Sequence, residues 1–276
     1  MRSNSHAGAW QQKQGRRPDA TCTQNNSARG EGPTIHMLKG EPVMSLRPLF
    51  LGCLLGIGLV SADAGQAAGL NGSLTLTSDY VFRGYTQTNK KPALQGGIEF
   101  EAESGFYAGA WGSSISWLSD ADPDVSSQLE LDGYIGYRNQ LSDTISFDVG
   151  ALYYGYPGSY PSGFNDADTV ELYAGLSAGI FSVKYSYAVT DLFGIVDSDG
   201  SSYLETGIDY GFADTWSLGL HAGKQFISGD FGEDYIDWSV GINKTLPNDF
   251  DIGVTFTDVD VDGGDSRLFI ALTKSF

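Results

Sequence analysis

From Gly72 to the C-terminus, apolar and polar side chains alternate one by one over stretches of about ten residues, each ending in a turn-forming cluster. The alternation predicts strands at 72–84, 92–103, 106–117, 128–138, 144–154, 169–178, 180–190, 202–210, 215–226, 235–244, 250–257 and 266–276. This is an all-β pattern of about twelve strands, an even number, with no long helical period after Gly69. The connections alternate in character. Ser104-Gly105, 139–143, Gly179, 211–214 and 245–249 are short, whereas 120–124, 157–168, 191–201 and 258–265 are longer and acidic or glycine-rich.

The two faces of these strands differ in kind. One parity is apolar: Leu74, Leu76, Tyr80 and Phe82 on the first strand, Leu131 and Ile135 on the fourth, Ile252, Val254 and Phe256 on the eleventh. Aromatic residues gather near strand ends. Tyr137, Phe181, Tyr210, Trp216, Phe250 and Phe276 fall at the short-turn end, and Phe82, Trp117, Tyr153, Tyr187, Phe226 and Trp238 at the other. The opposite parity carries the charge: Asp79, Glu99, Glu101, Glu103, Glu130, Asp132, Asp148, Glu171 and Asp237, against Arg83, Arg138, Lys184 and Arg267. A soluble sandwich or lipocalin-like barrel would use the same alternation to build a core. Short turns opposed to long loops, aromatic girdles and one apolar face together favour a transmembrane antiparallel up-and-down β-barrel, apolar outside and polar inside.

The chain's ends agree. Leu268, Ile270 and Leu272 alternate with small and polar residues up to Phe276, the ending of outer-membrane barrels, which implies recognition by the barrel-assembly machinery. Lys274 departs from the apolar residue common three from such an end and is read as snorkelling at the interface. Near the other end, Arg47 precedes an apolar stretch, 49–60, followed by Ala62-Asp63-Ala64 and Ala67. That is a charged region, an apolar core and a cleavage site, too short for the roughly 20 residues of a spanning helix. Residues 44–67 are therefore predicted to be a signal peptide and 68–276 the barrel. Residues 1–43, polar and out of place before a leader, read as an over-extended start, with Met44 or Met37 the true initiator. The twin arginine Arg16-Arg17 lies too far from the apolar core to serve it, and Cys53 lacks a lipobox.

Without the leader the chain loses both cysteines, Cys22 and Cys53, so no disulfide can brace the mature protein. It keeps 9 of 16 basic residues and 30 of 34 acidic ones, a net charge near −21. Such a balance argues against nucleic acid or anionic lipid as a partner and favours cations. Projected into a lumen, Asp79, Arg83, Glu99, Glu101, Glu130, Asp132, Arg138, Asp148, Glu171, Lys184 and Asp237 are the predicted pore-lining set. Barrels of eight strands are filled by their own side chains, and those of sixteen leave a channel. About twelve strands are compatible with either.

The run Ser78-Asp79-Tyr80-Val81-Phe82-Arg83-Gly84-Tyr85-Thr86-Gln87-Thr88, followed by 92–97, resembles the opening of the TorF porin family, the Gcw_chp domain of exported proteobacterial proteins. The similarity continues through Asp132-Gly133-Tyr134-Ile135-Gly136-Tyr137, 171–175, Tyr203-Leu204-Glu205 and the last five residues, covering essentially all of 68–276. The resemblance implies an outer-membrane porin set among lipid and lipopolysaccharide, passing small solutes, and compatible with an oligomer. In physical terms, 78–88 is expected to be the upper half of the first strand entering a loop, with Gly84 at the loop entry and Asp79 and Arg83 two pleats apart. Arg83 then either lines a constriction or forms a structural ion pair.

Two other chemistries are weighed. His221 is the only histidine after the leader and shares a face with Ser217, yet no third group and no nucleophile elbow accompany them, so no enzyme is expected. Asp258-Val259-Asp260-Val261-Asp262-Gly263 copies the start of a calcium loop, but its twelfth position is Phe269 and no helices flank it. No metal or cofactor site is assigned. A solvated acidic hairpin tip is the default there, with weak divalent-cation bridging to lipopolysaccharide as the alternative. The runner-up to a porin is a non-conducting structural or interaction barrel whose acidic loops do the work.

Overall fold

The structure, a computed structural model, describes residues 68–261 and 264–276. The predicted leader and extension lie outside the described residues. Strands β1 (Gly69–Thr77), β4 (Ala93–Glu101), β5 (Phe106–Ser114), β6 (Leu129–Ser142), β7 (Ile145–Gly155), β8 (Thr169–Ala178), β9 (Phe181–Ala188), β10 (Ser202–Ala213), β11 (Trp216–Phe226), β12 (Tyr235–Leu246), β13 (Phe250–Val259) and β14 (Arg267–Ser275) form one closed barrel. Each pairs antiparallel with its sequence neighbour, and β1 closes on β14 with Ser73 opposite Ser275. Closure removes the unpaired edges that an open sheet would leave. Two elements stand apart: a short hairpin, β2 (Val81–Phe82) and β3 (Tyr85–Thr86), and one helical turn, α1 (Trp117–Ala121).

The first strand is shorter than its alternation predicts. It stops at Thr77, and 78–88 turns into the barrel instead of continuing the wall. Tyr80 and Phe82 therefore do not face outward. Tyr80 is buried, and Phe82 packs edge-on against Tyr154 and Phe193 inside. Trp117 is likewise not a girdle residue, because it sits in α1 with its ring edge-on to Tyr156. Glu103 belongs to the turn between β4 and β5. Elsewhere alternation places the strands correctly, and its main error is at the ends of β6 and β10, which run on to Ser142 and Ala213 through register shifts at 140/142 and 211/213.

The barrel is apolar outside and polar inside. Leu94, Ile98, Ile135, Leu172 and Ile270 all point outward and are well exposed, whereas inward positions alternate buried threonine, serine, tyrosine and charge. Inward tyrosines lie across glycines of neighbouring strands: Tyr107 over Gly136, Tyr134 over Gly109, Tyr173 over Gly150 and Tyr203 over Gly223. The missing side chain leaves the groove in which the ring rests. At Gly136 an added Cβ would press on the Tyr107 ring and stand 2.7 Å from the Val149 carbonyl oxygen. Gly136→Ala is expected to cost about 1–3 kcal/mol through overpacking, seen as a lower urea midpoint in detergent. An unchanged midpoint would mean that the ring shifts without penalty.

Candidate functional site: the lumen and its inward hairpin

All short turns and both described chain ends lie at one end of the barrel; the longer segments 78–92, 115–128, 156–168, 189–201 and 227–234, with 260–261 and 264–266, lie at the other. The hairpin β2–β3 descends into the lumen from this loop end. Its base is stitched by Asp79, whose carboxylate accepts hydrogen bonds from the Thr86 and Thr88 hydroxyls, and by Gln87 N–H donating to the Tyr80 carbonyl (2.7 Å). Outside, Lys90 bonds Asp265 of the β13–β14 loop (2.8 Å), which holds that carboxyl below its ordinary range.

At the hairpin's tip, Arg83 and Gly84 both have positive φ, 45° and 84°. A two-residue hairpin of this twist requires positive φ at both central residues, normally supplied by Asn-Gly. Gly84 meets a second demand, since a Cβ there would fall 2.8 Å from the Asp237 Cβ. The tip is thus pressed against Asp237 on β12 and Val259 on β13, three and two strands along the wall from β1.

Arg83 makes the crossing bond. Its Nη1 and Nη2 donate in parallel to the two oxygens of Glu171 on β8 (2.9 and 2.7 Å), and Nη1 also donates to Gln225 Oε1 on β11 (3.0 Å). The guanidinium lies 4.2 Å from the centre of the Tyr203 ring and 4.9 Å from that of Phe82. Arg83 is 5% exposed and Glu171 1%. Paired forks of this kind are the strongest arrangement open to the two groups. Glu130, Asp132 and Asp237 surround the same level, all buried; the Tyr80 hydroxyl donates to Glu130 Oε1 (3.4 Å), while Glu130 Oε2 and Asp132 Oδ1 accept no hydrogen bond.

A second layer lies toward the short-turn end. Arg138 on β6 bonds Glu99 (3.0 Å) and reaches Glu101 (3.6 Å) on β4, with its guanidinium 3.8 Å over the Tyr107 ring. Tyr107 donates to Asp148 on β7 and shares a hydrogen bond with Tyr173 on β8. Lys184 faces Glu205 directly across β9 and β10 (3.5 Å). His221 Nε2 bonds Asp237 (2.9 Å), whose other oxygen accepts from Tyr203 (2.7 Å). Ser217 makes no hydrogen bond to His221. The belt joins the Arg83 layer through Tyr203 and Asp237.

Glu99, Glu101, Glu130, Asp132, Arg138, Asp148, Glu171, Lys184 and Asp237 occupy inward positions of the barrel wall, whereas Asp79 and Arg83 lie on the hairpin and not at strand positions two pleats apart. Tyr134, Tyr154, Tyr173 and Tyr203 share the parity of the charges on their strands and were missed, and the alternation reads Tyr80 as facing outward. Of the calcium-like run, Asp262 and Gly263 lie outside the described residues, and Asp258 and Asp260 accept backbone N–H groups of Val259 and Ile236. Other loop carboxylates do the same: Asp168 takes Tyr156 N–H and Asp234 takes Ile227 N–H.

A family model described as a bacterial protein of unknown function (Gcw_chp) matches residues 61–271. The chain belongs to the Gcw_chp family. No curated protein matches it. Among solved structures, this Gcw_chp barrel is similar to the KdgM porin, at a TM-score of 0.50 and 13% identity over 75% of this chain and 98% of that one. The NanC porin aligns at 0.48 and 13% identity over 74% and 98%, and the COG4313 outer membrane channel from Pseudomonas putida F1 at 0.45 and 13% over 80% and 100%. At this identity the KdgM likeness bears on fold alone.

Proposed function

We propose that this Gcw_chp protein is an outer-membrane channel for small solutes, preferring cations, with lipid and lipopolysaccharide around the barrel and Phe276 as its mark for the assembly machinery. The observation that carries the reading is the inverted polarity of the barrel. Soluble monomers rarely expose apolar patches beyond a few hundred Å² (~300–600 Å²), whereas here the strands turn their apolar side outward and most of their charge inward, and the charges on the outward parity, Lys224, Lys244, Asp258 and Lys274, lie near strand ends. Lumen carboxylates outnumber lumen cations, and low-dielectric walls focus such a field to favour cations. The similarity of 78–88 to the TorF porins points the same way. No step of this function asks for bond-making chemistry, and His221 is engaged as a member of the belt.

The near-complete burial of Arg83, Glu130, Glu171 and Asp237 favours a second reading, a barrel shut at its loop end. Planar-bilayer conductance in a KCl gradient separates the two, after a heat-modifiable gel band has shown that the refolded protein is native. Stepwise, cation-selective currents are expected, larger in Arg83→Gln than in the wild type because the hairpin loses its anchor on β8. Neutralising Glu99, Glu101 and Asp148 together should move the reversal potential toward zero. Silence from the wild type and Arg83→Gln alike would leave the non-conducting barrel.

A further inference from the structure

We propose that the wall facing Arg83 is a binding site for solutes bearing a guanidinium group, and that Arg83 occupies it as an internal ligand while the lumen is closed. The inference rests on the channel reading and names the solute class it serves. Everything a guanidinium needs is supplied by parts of the chain remote from the hairpin. Glu171 on β8 takes the fork through both oxygens, Gln225 on β11 offers a carbonyl, and Tyr203 on β10 offers a ring face.

Each of these groups is oriented by a partner other than Arg83. Tyr154 donates to Glu171 Oε2 (3.3 Å), Gln225 Nε2 donates to the Ser202 carbonyl (3.1 Å), and Tyr203 donates to Asp237. The pocket is therefore held in shape by the wall, and withdrawing the hairpin vacates a preformed site.

Charge points the same way. Three buried carboxyl groups, Glu130, Asp132 and Glu171, have one arginine among them at this level, and Asp132 lies within electrostatic reach of both Glu130 and Glu171. Asp132 Oδ1 and Glu130 Oε2 remain without a hydrogen bond. These two oxygens leave acceptors open for a second cationic donor at the level of Arg83. An incoming guanidinium exchanges one fork for another, and the freed hairpin relaxes toward the loop end. An ammonium offers neither fork nor stacking plane.

Agmatine, with putrescine as its ammonium counterpart, tests this by titration calorimetry in detergent, where no conduction is needed. Arg83→Ala is expected to bind agmatine about tenfold more tightly than putrescine and more tightly than the wild type does, and Glu171→Gln in the same background should abolish the preference. Equal binding of the two amines, or none, overturns the proposal. If Arg83→Ala does not refold, Arg83→Lys carries the test: agmatine should raise its unfolding temperature more than putrescine, and an equal effect overturns the proposal. Failure of the channel reading looks different, since a barrel silent in bilayers can still show this selectivity in calorimetry.

Discussion

Replacing Arg83 by alanine is expected to lower stability by about 3–5 kcal/mol, the range for breaking one side of a buried ion pair. The loss comes less from the attraction given up than from what remains. Glu171, 1% exposed, would be left buried with only the Tyr154 hydroxyl as donor. The intact pair is worth far less than that figure, because burying both ions has already cost most of their mutual attraction. The double replacement Arg83→Met with Glu171→Met should therefore recover most of the loss. A double-mutant cycle by urea unfolding in detergent measures this. A loss below about 1 kcal/mol for Arg83→Ala, the range of an exposed pair, would show that water reaches Glu171 and that the hairpin does not lock the lumen.

The same residue shows where periodicity stops being informative. Leu74, Leu76, Tyr80 and Phe82 share one parity, so alternation extends the first strand through 72–84. The chain leaves the wall at Ser78 for reasons that a period of two does not register. The Ser78 N–H bonds the Ile270 carbonyl and the Ser78 hydroxyl accepts from Ile270 N–H (both 2.9 Å), after which Asp79 collects the threonines downstream. A local signal was present in the threonines at 77, 86 and 88 around one aspartate and in Arg83-Gly84 between β-formers. It reads as a hairpin only once the partners of Arg83, on β8 and β11, are known. For the other strands one face is buried and one is not, so a slip of one residue would invert every side chain and the pattern determines the register. The lumen charges were legible for that reason. Tyr134, Tyr173 and Tyr203 share the parity of the charges on their strands but look like girdle or core residues in isolation, and the glycines under their rings are what mark them as inward.

Ile135→Arg and Leu141→Arg are expected to differ in cost although the two side chains are almost equally exposed, 65% and 62%. Both lie on β6 and are exposed, Ile135 at the middle of the strand and Leu141 near the short-turn end, at the register shift. If the surrounding medium is water, neither change buries a charge and both should be close to neutral. In a bilayer the first should cost about 2–4 kcal/mol and the second about 0–1 kcal/mol, since an arginine near the rim reaches the headgroups and one at mid-depth does not. Urea unfolding in lipid vesicles provides the comparison, and the difference between the variants matters more than either value. Equal, small costs would remove the membrane from the account and leave the apolar exterior needing a protein partner. A depth-dependent cost can come only from a medium that changes polarity along the barrel axis. In such a medium the barrel's interior is the polar path across, and the Arg83 hairpin stands in that path.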